Sequence, residues 1–218
     1  MNYQIHRFPD AQAASEALAQ LLSERLSAGG RAVLAGGGSA LKAYALFGRA
    51  DILWSRVQFI VSDERCVAPD HPDRNERAIR EAIGRSKVTF HAFPAEMGAA
   101  AAAEGMEATM QGLIPFDVVV LGLGEDAHTA SLFPGRDLGF QTLVAPVLDS
   151  PKPPPERVTL TPKALSSTQL VVYMVTGEGK REALQRVLSG EDVPPNHITA
   201  PEVLIFCDAA ALPEGVEG

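Results

Sequence analysis

Short aliphatic runs recur along this 218-residue chain, and stretches with helical spacing separate them. The runs are RAVLA (Arg31 to Ala35), VQFIV (Val57 to Val61), VTFHAF (Val88 to Phe93), FDVVVL (Phe116 to Leu121), LVVYMV (Leu170 to Val175) and VLIFC (Val203 to Cys207). A run without polar alternation suits a strand covered on both faces, the setting of a parallel sheet. Between the runs, Ala14, Leu18, Leu21, Leu22 and Leu26 have helical spacing, with Asp10 as N-cap and Gly29-Gly30 as the stop. Further helices are expected from near Ser39, after about Asp73, over Ala99 to Leu113 and over Gly179 to Leu188. TLVAPV and Val158 to Thr161 read as weaker strands around a proline-rich loop, SPKPPPERVTLT. The alternation predicts an α/β fold: a mostly parallel sheet with helices on both faces. The length suits one α/β domain or two small ones, and because the proline-rich stretch is too short and too embedded to be a linker, a single domain over residues 1–218 is expected.

Composition excludes several classes. A formal net charge of -8 argues against a general nucleic-acid binder, so an anionic substrate would need cations gathered locally. Cys66 and Cys207 form no CxxC pair and fit a reducing compartment. The start, MNYQIHRFPD, lacks the apolar core of a signal peptide, and no run is long enough to span a bilayer. A cytoplasmic location and no membrane partner are the corresponding expectations.

Four segments hold groups capable of chemistry. FDVVVL runs directly into GLGEDAHTASLFPG, Gly122 to Gly135, and so delivers Glu125, Asp126 and His128 to the carboxyl edge of the sheet, where ligands bind in such folds. A carboxylate two residues before a histidine outlines a general base. The alternatives are a structural or exposed histidine, or part of a metal site that has no second histidine at ligand spacing. Ser131 lacks the GxSxG setting of a nucleophile, because Ala130 and Leu132 flank it. AGGGSALKAY, Ala35 to Tyr44, is either a tight strand-to-helix turn or an anion cradle at a helix N-terminus. SDER (Ser62 to Arg65), with Asn75 downstream, is either a solvated loop with local ion pairs or part of a cleft. Arg157 after the prolines and Lys180 after a glycine turn are the basic candidates, with Lys180-Arg181 as plain helix surface the alternative.

Together these segments resemble the 6-phosphogluconolactonase family, in the branch related to glucosamine-6-phosphate isomerase/deaminase. The resemblance runs from Gly36 to Lys180, and GLGEDAHTASLFPG, SDERCV with Asn75, and PPPERVTLT carry it. It implies a Rossmann-like α/β sandwich and hydrolysis of 6-phosphoglucono-δ-lactone to 6-phosphogluconate in the oxidative pentose phosphate pathway. It implies His128 as catalytic base with Asp126 beside it. It places the sugar phosphate near Gly37, Gly38 and Ser39, assisted by Arg157 and Lys180, with Asp63, Arg65 and Asn75 lining the rest. The expected partner is a small sugar-phosphate lactone. No metal or organic cofactor is expected, and the chain is expected as a monomer or weak homodimer.

Two departures stand out. The family's glycine-serine-threonine-proline turn reads Gly37-Gly38-Ser39-Ala40, so a hydroxyl is missing at Gly38. Its Asp-Gly-His reads Asp126-Ala127-His128, which is tolerable if residue 127 does not need positive φ. The deaminases carry Asn-Glu-Pro after the histidine, where this chain has Leu132-Phe133-Pro134. Phenylalanine relays no proton, which favours the lactonase over deamination; the retained His128 and Asp126 argue against a non-catalytic sugar-phosphate sensor.

Overall fold

The computed structural model describes residues 3–216. In chain order the elements are β1 (Gln4–Phe8), α1 (Ala11–Arg25), β2 (Gly30–Leu34), α2 (Gly38–Phe47), β3 (Val57–Val61), β4 (Asp63–Arg65), α3 (Asn75–Ile83) and β5 (Thr89–His91). They continue as α4 (Ala99–Leu113), β6 (Val118–Gly122), β7 (Val144–Val147), β8 (Arg157–Leu160), α5 (Pro162–Leu165), β9 (Leu170–Val175), α6 (Arg181–Leu188) and β10 (Glu202–Asp208).

Among the described residues, seven strands form one sheet in the order β1-β10-β9-β6-β2-β3-β5, and every pairing in it is parallel. The central strands read as they do because both their faces are covered: every residue of β9, and Val118 to Leu121 of β6, is buried. Helix α1 starts at Asp10, whose side chain accepts from Ala13 N, and buries Ala14, Leu18 and Leu22. Right-handed crossovers fix which face each helix takes. Connections stepping towards β5 put α1, α2 and α3 side by side on one face. Connections stepping back put α4 and α6 on the other.

The chain leaves β2 for β3 on one side and leaves β6 for β9 on the other. The loops after these adjacent strands therefore diverge, and a crevice opens at their carboxyl ends. The glycine turn and the GLGEDAH segment are those two loops.

The structure departs from the sequence reading in several places. SDER is no loop: Asp63 to Arg65 is β4, an outer strand of a second, antiparallel sheet ordered β4-β8-β7. Strand β1 was not anticipated, because QIHRF is polar and partly exposed at the sheet edge. VTFHAF contracts to Thr89–His91, and the helix from Gly179 divides into a single turn, Glu178–Lys180, and α6. No helix among the described residues is long and apolar enough to cross a membrane.

Candidate active site

The crevice holds a cavity of about 340 Å³. The β2 edge contributes Ala35, Gly36 and Gly37, and the β6 edge contributes Gly122 to Glu125 together with His128. The small sheet supplies Asp63, Arg65 and Arg157, α3 supplies Asn75, and the turn before α6 supplies Lys180. Most of the expected residues thus converge. Gly38 and Ser39 stand behind this lining in the first turn of α2, and Asp126 is hydrogen-bonded to His128.

His128 Nδ1 is hydrogen-bonded to Asp126 Oδ1. An ionised carboxylate only accepts, so the neutral ring carries its proton on Nδ1 and Nε2 is left as a proton acceptor. Burial pulls the His128 pKa below its ordinary value, Lys152 adds to this, and Asp126 opposes it. Burial pulls Asp126 upwards, but the His128 hydrogen bond and charge, with Lys152, outweigh it and hold the carboxyl at about 2. The pair is an ionised carboxylate beside a largely neutral imidazole, which is what a general base needs at neutral pH.

The loop that presents this pair is tightly constrained. Gly124 N donates to His128 O at 2.8 Å, and Ala127 N donates to Gly124 O at 3.0 Å. A Cβ at Gly124 would overlap the His128 ring, so the approach needs glycine. From α6, Arg186 Nη1 donates to Asp126 O at 3.0 Å. Ala127 has φ of 66°, and Ala130 has 49°. The sequence expectation is corrected here: residue 127 does adopt the left-handed region, where an alanine costs roughly 1–2 kcal/mol. Phe133 is buried, and its ring lies 5.0 Å from that of His128.

At the other end, α2 has Gly37 as its N-cap and no side-chain cap, so its first N–H groups are left for an anion. A Cβ at Gly36 would overlap Asn75, whereas one at Gly38 would meet nothing within 4 Å. Ser39 Oγ lies 2.6 Å from Thr176 Oγ1, which ties α2 to the end of β9. Lys180 extends from the turn that follows β9.

The small sheet buries polar groups. Asp63 accepts from Ser131 Oγ at 2.6 Å and Ser62 Oγ at 2.9 Å, and its carbonyl accepts from Asn75 Nδ2 at 2.8 Å. Ser131 Oγ donates to Asp63, and Ser131 lies outside the lining of this cavity. Glu64, fully buried, accepts from the backbone N–H groups of Arg65, Asn75 and Glu76, each at 2.8 Å. It caps α3 in place of a local N-cap, so the second carboxylate of SDER is a structural clamp. Burial pushes its pKa up, against the pull of those donors and of Arg74. Arg157 is almost wholly buried and gives its guanidinium donors to the carbonyls of Lys152, Pro153 and Pro154. Sequence reasoning missed Lys152, which also lines the cavity; its one signal was its place in the proline-rich SPKPPP stretch.

A model of the family described as glucosamine-6-phosphate isomerases/6-phosphogluconolactonase matches residues 9–206. The chain belongs to that family. Human 6-phosphogluconolactonase is 37% identical over 214 residues, which cover 86% of this chain and 82% of the human one. The Pseudomonas putida 6-phosphogluconolactonase is 33% identical over 214 residues, covering 90% and 88%. The crystal structure of 6-phosphogluconolactonase from Thermotoga maritima superposes with a TM-score of 0.86 at 26% identity, covering 95% of this chain and 99% of that one.

Proposed function

We propose that this chain hydrolyses 6-phosphoglucono-δ-lactone to 6-phosphogluconate by general-base activation of water at His128. One observation carries the reading: the His128–Asp126 pair opens into the same cavity as the uncapped start of α2 and Lys180. A base at one end and an anion cradle at the other suit a phosphorylated ester.

The steps follow from these groups. The phosphate sits at the N–H groups around Gly37, Gly38 and Ser39, with Lys180 as its cation. Arg157 holds its neighbours through Nε and Nη2, and Nη1, 3.4 Å from Ser131 Oγ, is the group left to assist. Asp63, Arg65 and Asn75 line the sugar. His128 Nε2 takes a proton from water as the water attacks the lactone carbonyl carbon. The resulting oxyanion is met by loop N–H groups or Arg65. Collapse breaks the bond to the ring oxygen, and the imidazolium returns the proton to it. General-base catalysis of this kind contributes on the order of 10²–10⁴-fold. Anchoring the remote phosphate holds the carbonyl in register.

Phe133 packs against His128 and relays no proton, which supports lactone hydrolysis over the ring opening that deamination requires. A reducing compartment such as the cytoplasm suits the two unpaired cysteines, Cys66 and Cys207. A monomer or weak homodimer suits a surface on which Leu53, Met97 and Leu148 are the exposed large hydrophobics among the described residues. The test is an assay of purified protein on freshly generated lactone with spontaneous hydrolysis subtracted. Turnover no faster than the spontaneous reaction overturns the reading.

A further inference from the structure

The segment between β7 and β8 brings Lys152 to the cavity, and its backbone is held from both sides. Lys152 N donates to Ser150 Oγ at 3.2 Å, and Lys152 O accepts from Ser150 Oγ and Arg157 Nη2, both at 2.9 Å. Arg157 continues along the segment to Pro153 O at 3.1 Å and Pro154 O at 3.0 Å. From this fixed base the Lys152 side chain reaches Asp126, with Nζ 3.5 Å from Oδ1. That is the carboxylate oxygen that also faces His128 Nδ1.

We propose that Lys152 is a positioning residue for the His128 base, sharing one Asp126 oxygen with the imidazole and balancing its charge. A carboxylate paired with an imidazole alone favours the imidazolium, which cannot accept a proton. A second cation on the same oxygen offsets that preference and leaves the ring free to act as base. The other charged groups that face the ring are Asp126 on its own loop and Asp63 from β4; both favour the imidazolium. Glu125, Arg65, Arg157 and Lys180 line the same cavity. Phe133, whose ring packs tilted at 34° against that of His128, carries no charge.

The direction of the effect follows. Protonated His128 is inactive, so activity rises as pH rises through the ring's pKa. Removing Lys152 removes an influence that lowers this pKa. The acid limb of the pH profile then moves to higher pH.

The experiment compares the parent with Lys152→Met and Lys152→Arg, using thermal melts as the folding control. The first readout is the NMR titration of the His128 Cε1–H signal in ligand-free protein, assigned by its loss in His128→Asn. The second is the pH profile of kcat/KM on the lactone. In Lys152→Met both are expected to shift upwards by on the order of 0.5–1 pH unit, because the pair is close but partly exposed. Lys152→Arg keeps the charge and returns both towards the parent. An unmoved His128 titration in Lys152→Met overturns the proposal. So does a raised KM at every pH with an unmoved acid limb, which would make Lys152 a direct substrate contact. The kinetic arm rests on the lactonase reading, but the titration does not. A parent without lactonase activity would refute that reading and leave the titration to decide this one.

Discussion

In the large sheet, β6 and β9 bury aliphatic chains on both faces; in the small sheet, β4 and β8 bury Asp63, Glu64, Arg157 and Thr159. The first kind of burial is non-directional and scales with area. The second holds only while each donor and acceptor keeps its partner. The large sheet therefore sets stability with broad tolerance for shape-conserving change, whereas the small sheet sets where cavity side chains stand. The cavity lies where the two meet, with His128 on a loop of the large sheet and its Asp63 and Arg65 walls on the small one.

Substitutions can separate these roles. The largest effect is expected for His128→Asn, which lies in neither core: kcat on the lactone should fall on the order of 10²–10⁴-fold. The thermal midpoint should hardly move; near-parental turnover in the folded variant would remove His128 from the mechanism. Leu121→Ala, fully buried in β6, is the converse. Denaturant unfolding should show a loss of about 2–5 kcal/mol, with KM of the folded enzyme close to the parent.

Lys180→Ala should weaken substrate binding by roughly 1.5–3 kcal/mol, read as a raised KM and weaker inhibition by phosphate esters, while kcat is largely kept. Asp63→Asn sharpens the contrast because it should damage both properties. One acceptor of a buried network is lost, at a cost of about 1–3 kcal/mol in unfolding free energy, and kcat/KM should fall as well. Unchanged kcat/KM would reduce the small sheet to a scaffold.

The smallest effect is expected for Ala127→Gly. Relief of the left-handed backbone, about 1 kcal/mol, is offset by a lost buried methyl and added chain entropy. Its unfolding free energy should stay within about 1 kcal/mol of the parent. The same change at Ala43, inside α2, should cost about 1 kcal/mol or more, because no strain is relieved there.

The large sheet was legible in the chain because buried parallel strands are written as unbroken apolar runs such as FDVVVL and LVVYMV. The small sheet was not. β4 is three polar residues whose pairing partner, β8, lies some ninety positions away, so no local pattern marks it. Glu64 looked like one more charge on a loop, and only its three backbone donors reveal a cap. β1 failed for a milder reason, since an edge strand with an exposed side has a mixed sequence. At the site, His128, Asp126 and the glycine turn were readable because they directly follow strands. Lys152 was not, because its position depends on carbonyls held by the buried Arg157. The requirement for positive φ at residue 127 is likewise a property of the folded loop alone.

Helix α6 has a further consequence. The turn before it carries Lys180 in the cavity wall, and Arg186, six residues on, donates to the main-chain carbonyl of Asp126. Lys180 ends the turn that precedes α6, and Arg186 lies within α6 itself. One short stretch of chain thus touches both the Lys180 side of the cavity and the loop that presents His128. A shift of this segment would therefore disturb the Lys180 wall and the Asp126 loop together.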